Sequence, residues 1–210
     1  MSGIVGSRFN IKGSGLVGSL GTDGQVFTSS GAGAGAVYEA ASEFDDTDLR
    51  NDLLGVALKN AITENRAAHN LPNTHIQIFQ DDTAIDVETD GDRNASEYWS
   101  VTGGSATGTL ASTAQTANAA QTKVSGLIVY ANTEGTATIG TDLRVYFTCN
   151  GSTYTESTLS AAGTFASGFL MAKAAQTTCT SGTDVRYKVV WANQSAGSKT
   201  TRLHGVGMNF

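Results

Sequence analysis

The chain has 210 residues, enough for one sizeable core or for a core plus an arm. Its charged content is only 15%, and Thr, Ser, Ala, Gly and Asn fill the space that Lys, Glu and Arg ordinarily occupy. A net charge of −6 with no Lys/Arg cluster excludes a generic binder of nucleic-acid phosphates, which needs a basic face.

The opening "MSGIVGSRFN" has no basic start followed by an apolar stretch, so it does not read as a signal peptide. No apolar run approaches the length of a membrane span; the best is "LIVYA". Synthesis and folding in a cytoplasm follow as the expectation. Residues 1–40 are rich in Gly and Ser and contain no proline. Few bulky apolar side chains are available there to build a core. The segment reads as an extended arm that orders against another surface, with Gly15, Leu16, Gly21, Gly24, Phe27, Gly31, Gly33 and Gly35 as its docking residues. Gly13, Gly15 and Gly18 match the spacing G-x-G-x-x-G, but no helix can start in the "SLGTDGQVF" that follows. The context needed to hold a pyrophosphate is missing.

Residues 41–71 predict one amphipathic helix. Leu54, Ala57, Leu58, Ala61, Ile62 and Ala68 recur at three- and four-residue steps. Asp45, Asp46 and Asp48 crowd its start, where carboxylates meet free backbone N–H groups. Asn70 and Pro72 mark its end. Leu54, Leu58 and Ile62 form the stripe expected to join copies of the chain, and Gly55 offers room for close approach.

Residues 72–210 read as β. In "TDLRVYFTC", Leu143, Val145 and Phe147 share a face. In "TDVRYKVVWAN", Val185, Tyr187, Val189 and Trp191 do the same, and Val206, Met208 and Phe210 close the chain with the same period of two. "HIQIF", "EYWSV", "KVSGLIVYA", "TATIG" and "SGFLMAK" are further strands by composition. Asn150-Gly151 signals a two-residue hairpin turn. Short strands separated by turn signals predict an antiparallel β-sandwich, jelly-roll-like in outline.

"DVETDGDRNASE" places Asp86, Glu88, Asp90, Gly91, Asp92, Asn94 and Glu97 at positions 1, 3, 5, 6, 7, 9 and 12 of an EF-hand-like loop. Asp86, Glu88, Asp90 and Asp92 are the candidate ligands for Ca2+. The flanks are strand-like instead of helical, which favours a solvated acidic turn. No other cofactor is expected. The three histidines are scattered, and no nucleophile pattern or carboxylate pair points to catalysis, so the expectation is a protein that is not an enzyme. Tyr98, Trp99, Tyr154 and Trp191 are candidate rings for a sugar. Trp191 reads as core, and of the neighbours Tyr98 and Trp99 one side chain should face outward. Cys149 and Cys179 fit no zinc spacing and read as two free, partly buried thiols, with a disulfide between them as the alternative. Three N-x-S sequons, at Asn94, Asn150 and Asn193, carry no weight without a secretory signal.

Three stretches carry a resemblance: "MSGIVGSRFN…KGSGLVGSLGTDGQVFTSSGAGAGAVYE", "NLPNTHIQIFQDDTAID" and "DVRYKVVWANQSAGSKTTRLHGVGMNF". Together they resemble virion structural proteins of tailed bacteriophages, a group described as tail-fibre or appendage proteins. The resemblance implies a trimeric tail-fibre or appendage protein on the virion surface, anchored by its arm to a tail adaptor and contacting host glycans. The alternative within the same resemblance is a head decoration or cement protein whose arm ties neighbouring major capsid subunits. Neither role implies nucleic acid or membrane as a partner.

Overall fold

A computed structural model of the chain describes residues 25–28, 37–40, 47–64 and 73–210. The chain divides into two units, Met1–Asp45 and Asp46–Phe210. In the first, β1 (Gln25–Thr28) pairs antiparallel with β2 (Val37–Ala40), Phe27 opposite Tyr38. Phe27, one of the residues expected to dock the arm, thus lies within a paired strand. Gly15, Leu16, Gly21, Gly24, Gly31, Gly33 and Gly35 lie outside the described residues.

The second unit holds α1 (Thr47–Glu64) and an eleven-stranded antiparallel sheet that nearly closes on itself. Its strands are β3 (Thr74–Gln77), β4 (Ile85–Thr89), β5 (Gly91–Asn94), β6 (Tyr98–Val101), β7 (Gly108–Ser112), β8 (Gln115–Glu134), β9 (Leu143–Thr148), β10 (Thr155–Ser157), β11 (Leu159–Ala166), β12 (Phe169–Trp191) and β13 (Thr200–Asn209). The principal path runs β10-β9-β12-β8-β13-β6-β5. "SGFLMAK" and "TDVRYKVVWAN" prove to be the two ends of one strand, the 23-residue β12. Its first half pairs with β11 and β8, and its second half lies between β9 and β7. Register shifts between Ala174 and Asp184 let one strand serve two parts of the sheet. "TATIG" contributes only an isolated bridge, Ile139 to Leu143.

The predicted alternation appears in the core. Leu143, Val145 and Phe147 of β9, Val185, Tyr187, Val189 and Trp191 of β12, and Val206 and Met208 of β13 are all buried in one cluster. Trp99 of β6 meets Trp191 with ring centres 4.3 Å apart, and the Trp191 indole N–H donates to the Thr201 carbonyl at 3.1 Å. Such a ring pair adds about 0.5–1.5 kcal/mol to the area it buries. Among the described residues, α1 is the only helix, and it lies on the outer side of the sheet. Leu54, Ala57, Leu58 and Ala61 form a second buried cluster with Ile76, Ile78, Leu127 and Val129. The sheet admits the helix because β13 carries "GVG": Val206 points to the core while Gly205 and Gly207 face the helix. A Cβ on Gly207 would stand 2.8 Å from Leu54 Cδ1, and one on Gly205 would stand 3.0 Å from Leu58 Cδ1 and Ile62 Cδ1.

That packing corrects the role expected of Leu54, Leu58 and Ile62. The stripe is spent on the chain's own sheet, where full burial of each leucine contributes about 1.5–3 kcal/mol. Gly55 likewise faces Leu127 of the same chain, at 3.2 Å from a hypothetical Cβ. The helix's polar seam is internal as well: the buried Asn51 Oδ1 accepts from Ser125 Oγ and from Asn209 Nδ2, both at 3.2 Å. Asp48, in the first turn, pairs with Lys173 of β12. Asp45, Asp46, Ala68, Asn70 and Pro72 lie outside the described residues.

Candidate functional site

The β6 sequence "YWSV" alternates, and the strand sorts its two large rings to opposite sides. Trp99 is fully buried, and Tyr98 is half-buried on the outer face. Beside it, β13 sends Leu203 inward opposite Trp99 and presents Arg202 and His204 outward, where the pairing to β8 shifts between Leu203 and Gly205. The β11–β12 hairpin adds Phe165 and Phe169 on either side of its tip, where Gly168 takes φ of +83°.

These five side chains form a continuous strip. The Arg202 guanidinium lies over the Tyr98 ring at 4.3 Å from its centre. Tyr98 and His204 ring centres are 5.5 Å apart, His204 meets Phe169 edge-on at 4.7 Å, and Phe169 meets Phe165 edge-on at 6.3 Å. All five are partly exposed. Burial, reinforced by the charge of Arg202, pulls the His204 pKa down to about 4, so its imidazole is neutral at neutral pH. The strip thus offers ring faces, a planar cation with fork-like donors and a neutral imidazole. That combination suits a ligand with an apolar face and polar edges.

The sequence pointed to Tyr98 but not to Arg202, His204, Phe165 or Phe169. They come from three other strands, and no local spacing announces them. Trp99 and Trp191 are core. Tyr154 belongs to a separate group, in which the Lys188 ammonium sits 4.5 Å from its ring centre and 4.8 Å from that of Tyr146.

The acidic segment does not gather its carboxylates. Asp86 is taken by Arg186 of β12 at 2.6 Å, and Arg186 also holds Asp184 at 2.7 Å. Glu88 accepts the Trp99 indole N–H at 2.6 Å, with partial burial pushing its carboxyl pKa up. Asp90 makes the bend with φ of +55° and Asp92 projects from β5 as an exposed side chain. Two strands replace the loop that an EF-hand spacing requires, and successive side chains diverge. Among the described residues no group of three His, Cys, Asp or Glu side chains is placed to hold a metal. Gly91 serves packing: a Cβ there would stand 2.1 Å from the Trp99 ring.

The three sequons are turn devices. Asn94 Oδ1 accepts the Ser96 N–H at 2.9 Å, and Asn193 adopts φ of +55° while donating to Asp142. Asn150 Oδ1 accepts from the N–H groups of Ser152 and Thr153. Asn150-Gly151 does turn the chain, with Gly151 at φ of +71°, but within a loop of residues 149–154 between β9 and β10 and not as a two-residue hairpin. Cys149 and Cys179 are free and buried. No family model and no curated protein matches the chain.

Proposed function

We propose that this chain is a non-enzymatic structural protein of a tailed-bacteriophage particle, a tail-fibre or appendage component on the virion surface. In this reading residues 1–40 anchor it to another virion protein, and the curled sheet is a sandwich-like display domain that contacts a host-surface glycan. The observation that carries the contact role is the strip Arg202–Tyr98–His204–Phe169–Phe165. Ring faces stack on the C–H face of a pyranose, while the guanidinium and imidazole serve its hydroxyl or carboxylate edges. The resemblance to virion proteins supports the assembly role.

The test has two arms. Purified particles probed for the chain should contain it in a few tens of copies or fewer; hundreds of copies indicate head decoration, and absence from particles sinks the reading. On arrays of host-surface polysaccharides the protein should bind, and Tyr98→Ala with Phe169→Ala should weaken binding at least about tenfold. Unchanged binding by that double variant removes the strip from the contact.

A further inference from the structure

The helix has two apolar stripes, and its own sheet covers only one. Leu49, Leu53 and Val56 are 66%, 55% and 59% exposed, although all other large apolar side chains in the described residues except Val87 avoid such exposure. Their spacing of four and three residues places them on one line along α1, continued by the exposed Asn60. Asp52 and Lys59, seven residues apart and both exposed, flank that line on the same side. Beside this flank a groove of about 410 Å³ runs between α1 and the β11–β12 hairpin, lined in part by Val56, Leu127, Phe165 and Met171. Val56 belongs to both the stripe and the groove, which Asp52, Lys59 and Lys173 also line.

We infer that this outer face of α1 is an isologous interface on which a second copy of the chain docks its own α1, antiparallel. The charge pattern selects that occupant. An antiparallel pair with its two-fold axis between Leu53 and Val56 sets Leu53 of one copy against Val56 of the other, and Leu49 against Asn60. It also brings Asp52 of each copy to Lys59 of the other, twice over. In a parallel pair or a parallel three-helix arrangement that flank faces the partner's opposite flank, so Asp52 of one copy does not meet Lys59 of another. The reciprocal Asp52–Lys59 pairing belongs to the two-fold, antiparallel arrangement and not to the three-fold association implied by the resemblance. The stripe itself is not part of the ring strip, but the two readings meet at Phe165, which lines the groove and whose ring centre lies 5.9 Å from Lys59 Nζ.

Light scattering on the full chain after size exclusion tests it. The expected mass is twice the 21.7 kDa of the chain at micromolar concentration. Asp52→Lys alone and Lys59→Asp alone should each weaken the dimer about tenfold or more, because each puts like charges together at two places. The double variant carrying both exchanges should restore it. Leu53→Asp should give a monomer with unchanged circular dichroism. A wild-type monomer overturns the inference and means that the face is covered within the chain or by another partner. A trimer overturns it too. Single charge variants that dimerise normally, or a double variant that fails to recover, overturn the antiparallel register.

Discussion

Asp142 shows how much of this fold hangs on single polar side chains. It is only 4% exposed, and its carboxylate accepts from Asn193 Nδ2 at 2.7 Å, Lys199 Nζ at 2.7 Å and the Thr138 N–H at 2.9 Å. Those bonds, Asn193 first and Lys199 next, pull its pKa down to about 2. A carboxyl depressed in the fold adds stability above its unfolded value of 3.8, and that stability drains away as pH falls from there toward 2. Asp142→Ala should cost about 1–3 kcal/mol at neutral pH by stranding three donors, and should flatten the acid limb of a melting-temperature profile. A variant that melts like the parent removes the tie from the account. His75 acts in a higher window. Its imidazole lies 6.2 Å from the Tyr187 ring with Nε2 buried and unpartnered, and burial lowers its pKa from 6.5 to about 4. Between those values the unfolded chain takes up a proton that the folded chain refuses, so stability falls as pH drops through this range. His204 adds to the slope in the same direction. His75→Phe with His204→Phe should remove most of the slope between pH 6.5 and 4, measured by denaturant titration; a slope that survives assigns it to other groups. Neither histidine's environment was legible locally. Each depends on strands far away in the chain, and a scattered histidine looks the same in sequence whether buried or free.

At the scale of elements, strands with apolar alternation were readable and the most polar strands were not. Leu143, Val145 and Phe147, or Val185 to Trp191, announce a half-buried strand because period two is imposed by the pleat. β5 is "GDRN" and β11 is "LSAAGTFA", with mostly exposed side chains that impose no period. They are strands because neighbours supply backbone partners, and neighbours are not in the local sequence. The first half of β8, "QTANAAQTK", is hidden for the same reason. The helix stripe was readable, but its occupant was not: Leu54 and Leu58 are equally apolar whether they meet another copy or their own sheet. The pair Gly205 and Gly207 in "GVG" decides for the sheet, since only there does the missing Cβ make room. Gly207→Ala should therefore cost about 1–3 kcal/mol by overpacking against Leu54. Leu54→Ala, costly alone at about 2–5 kcal/mol, should be less costly when combined with Gly207→Ala than the sum of the two. Strict additivity in that double-mutant cycle would mean that the two residues do not share the contact seen here.

For the sheet as a whole, the question is whether it opens in parts or all at once. β12 spans both halves of the core, and Trp99 against Trp191 joins β6 to its far end, so a break in one place exposes the other. Cys149 and Cys179 report on this directly. They lie just past the end of β9 and in the middle of β12, and both belong to the core cluster. The Cys179 thiol donates to the Phe147 carbonyl at 3.5 Å, and the Cys149 pKa is pushed up to about 12, mainly by burial. A buried thiol reacts only when the structure around it opens, since the thiolate is the nucleophile and needs access. If the unit is cooperative, both thiols should react with an aromatic disulfide reagent at one common rate, at least about a thousandfold slower than in denaturant. That rate should rise in step with the global unfolding constant when a destabilising variant such as Gly207→Ala is used. The loop of residues 149–154 is the place where this can fail, because it begins at Cys149 and its Ser152 and Thr153 are exposed. Fast labelling of Cys149 alone, insensitive to Gly207→Ala, would show the β9–β10 end opening independently while the helix-covered side of the sheet stays closed.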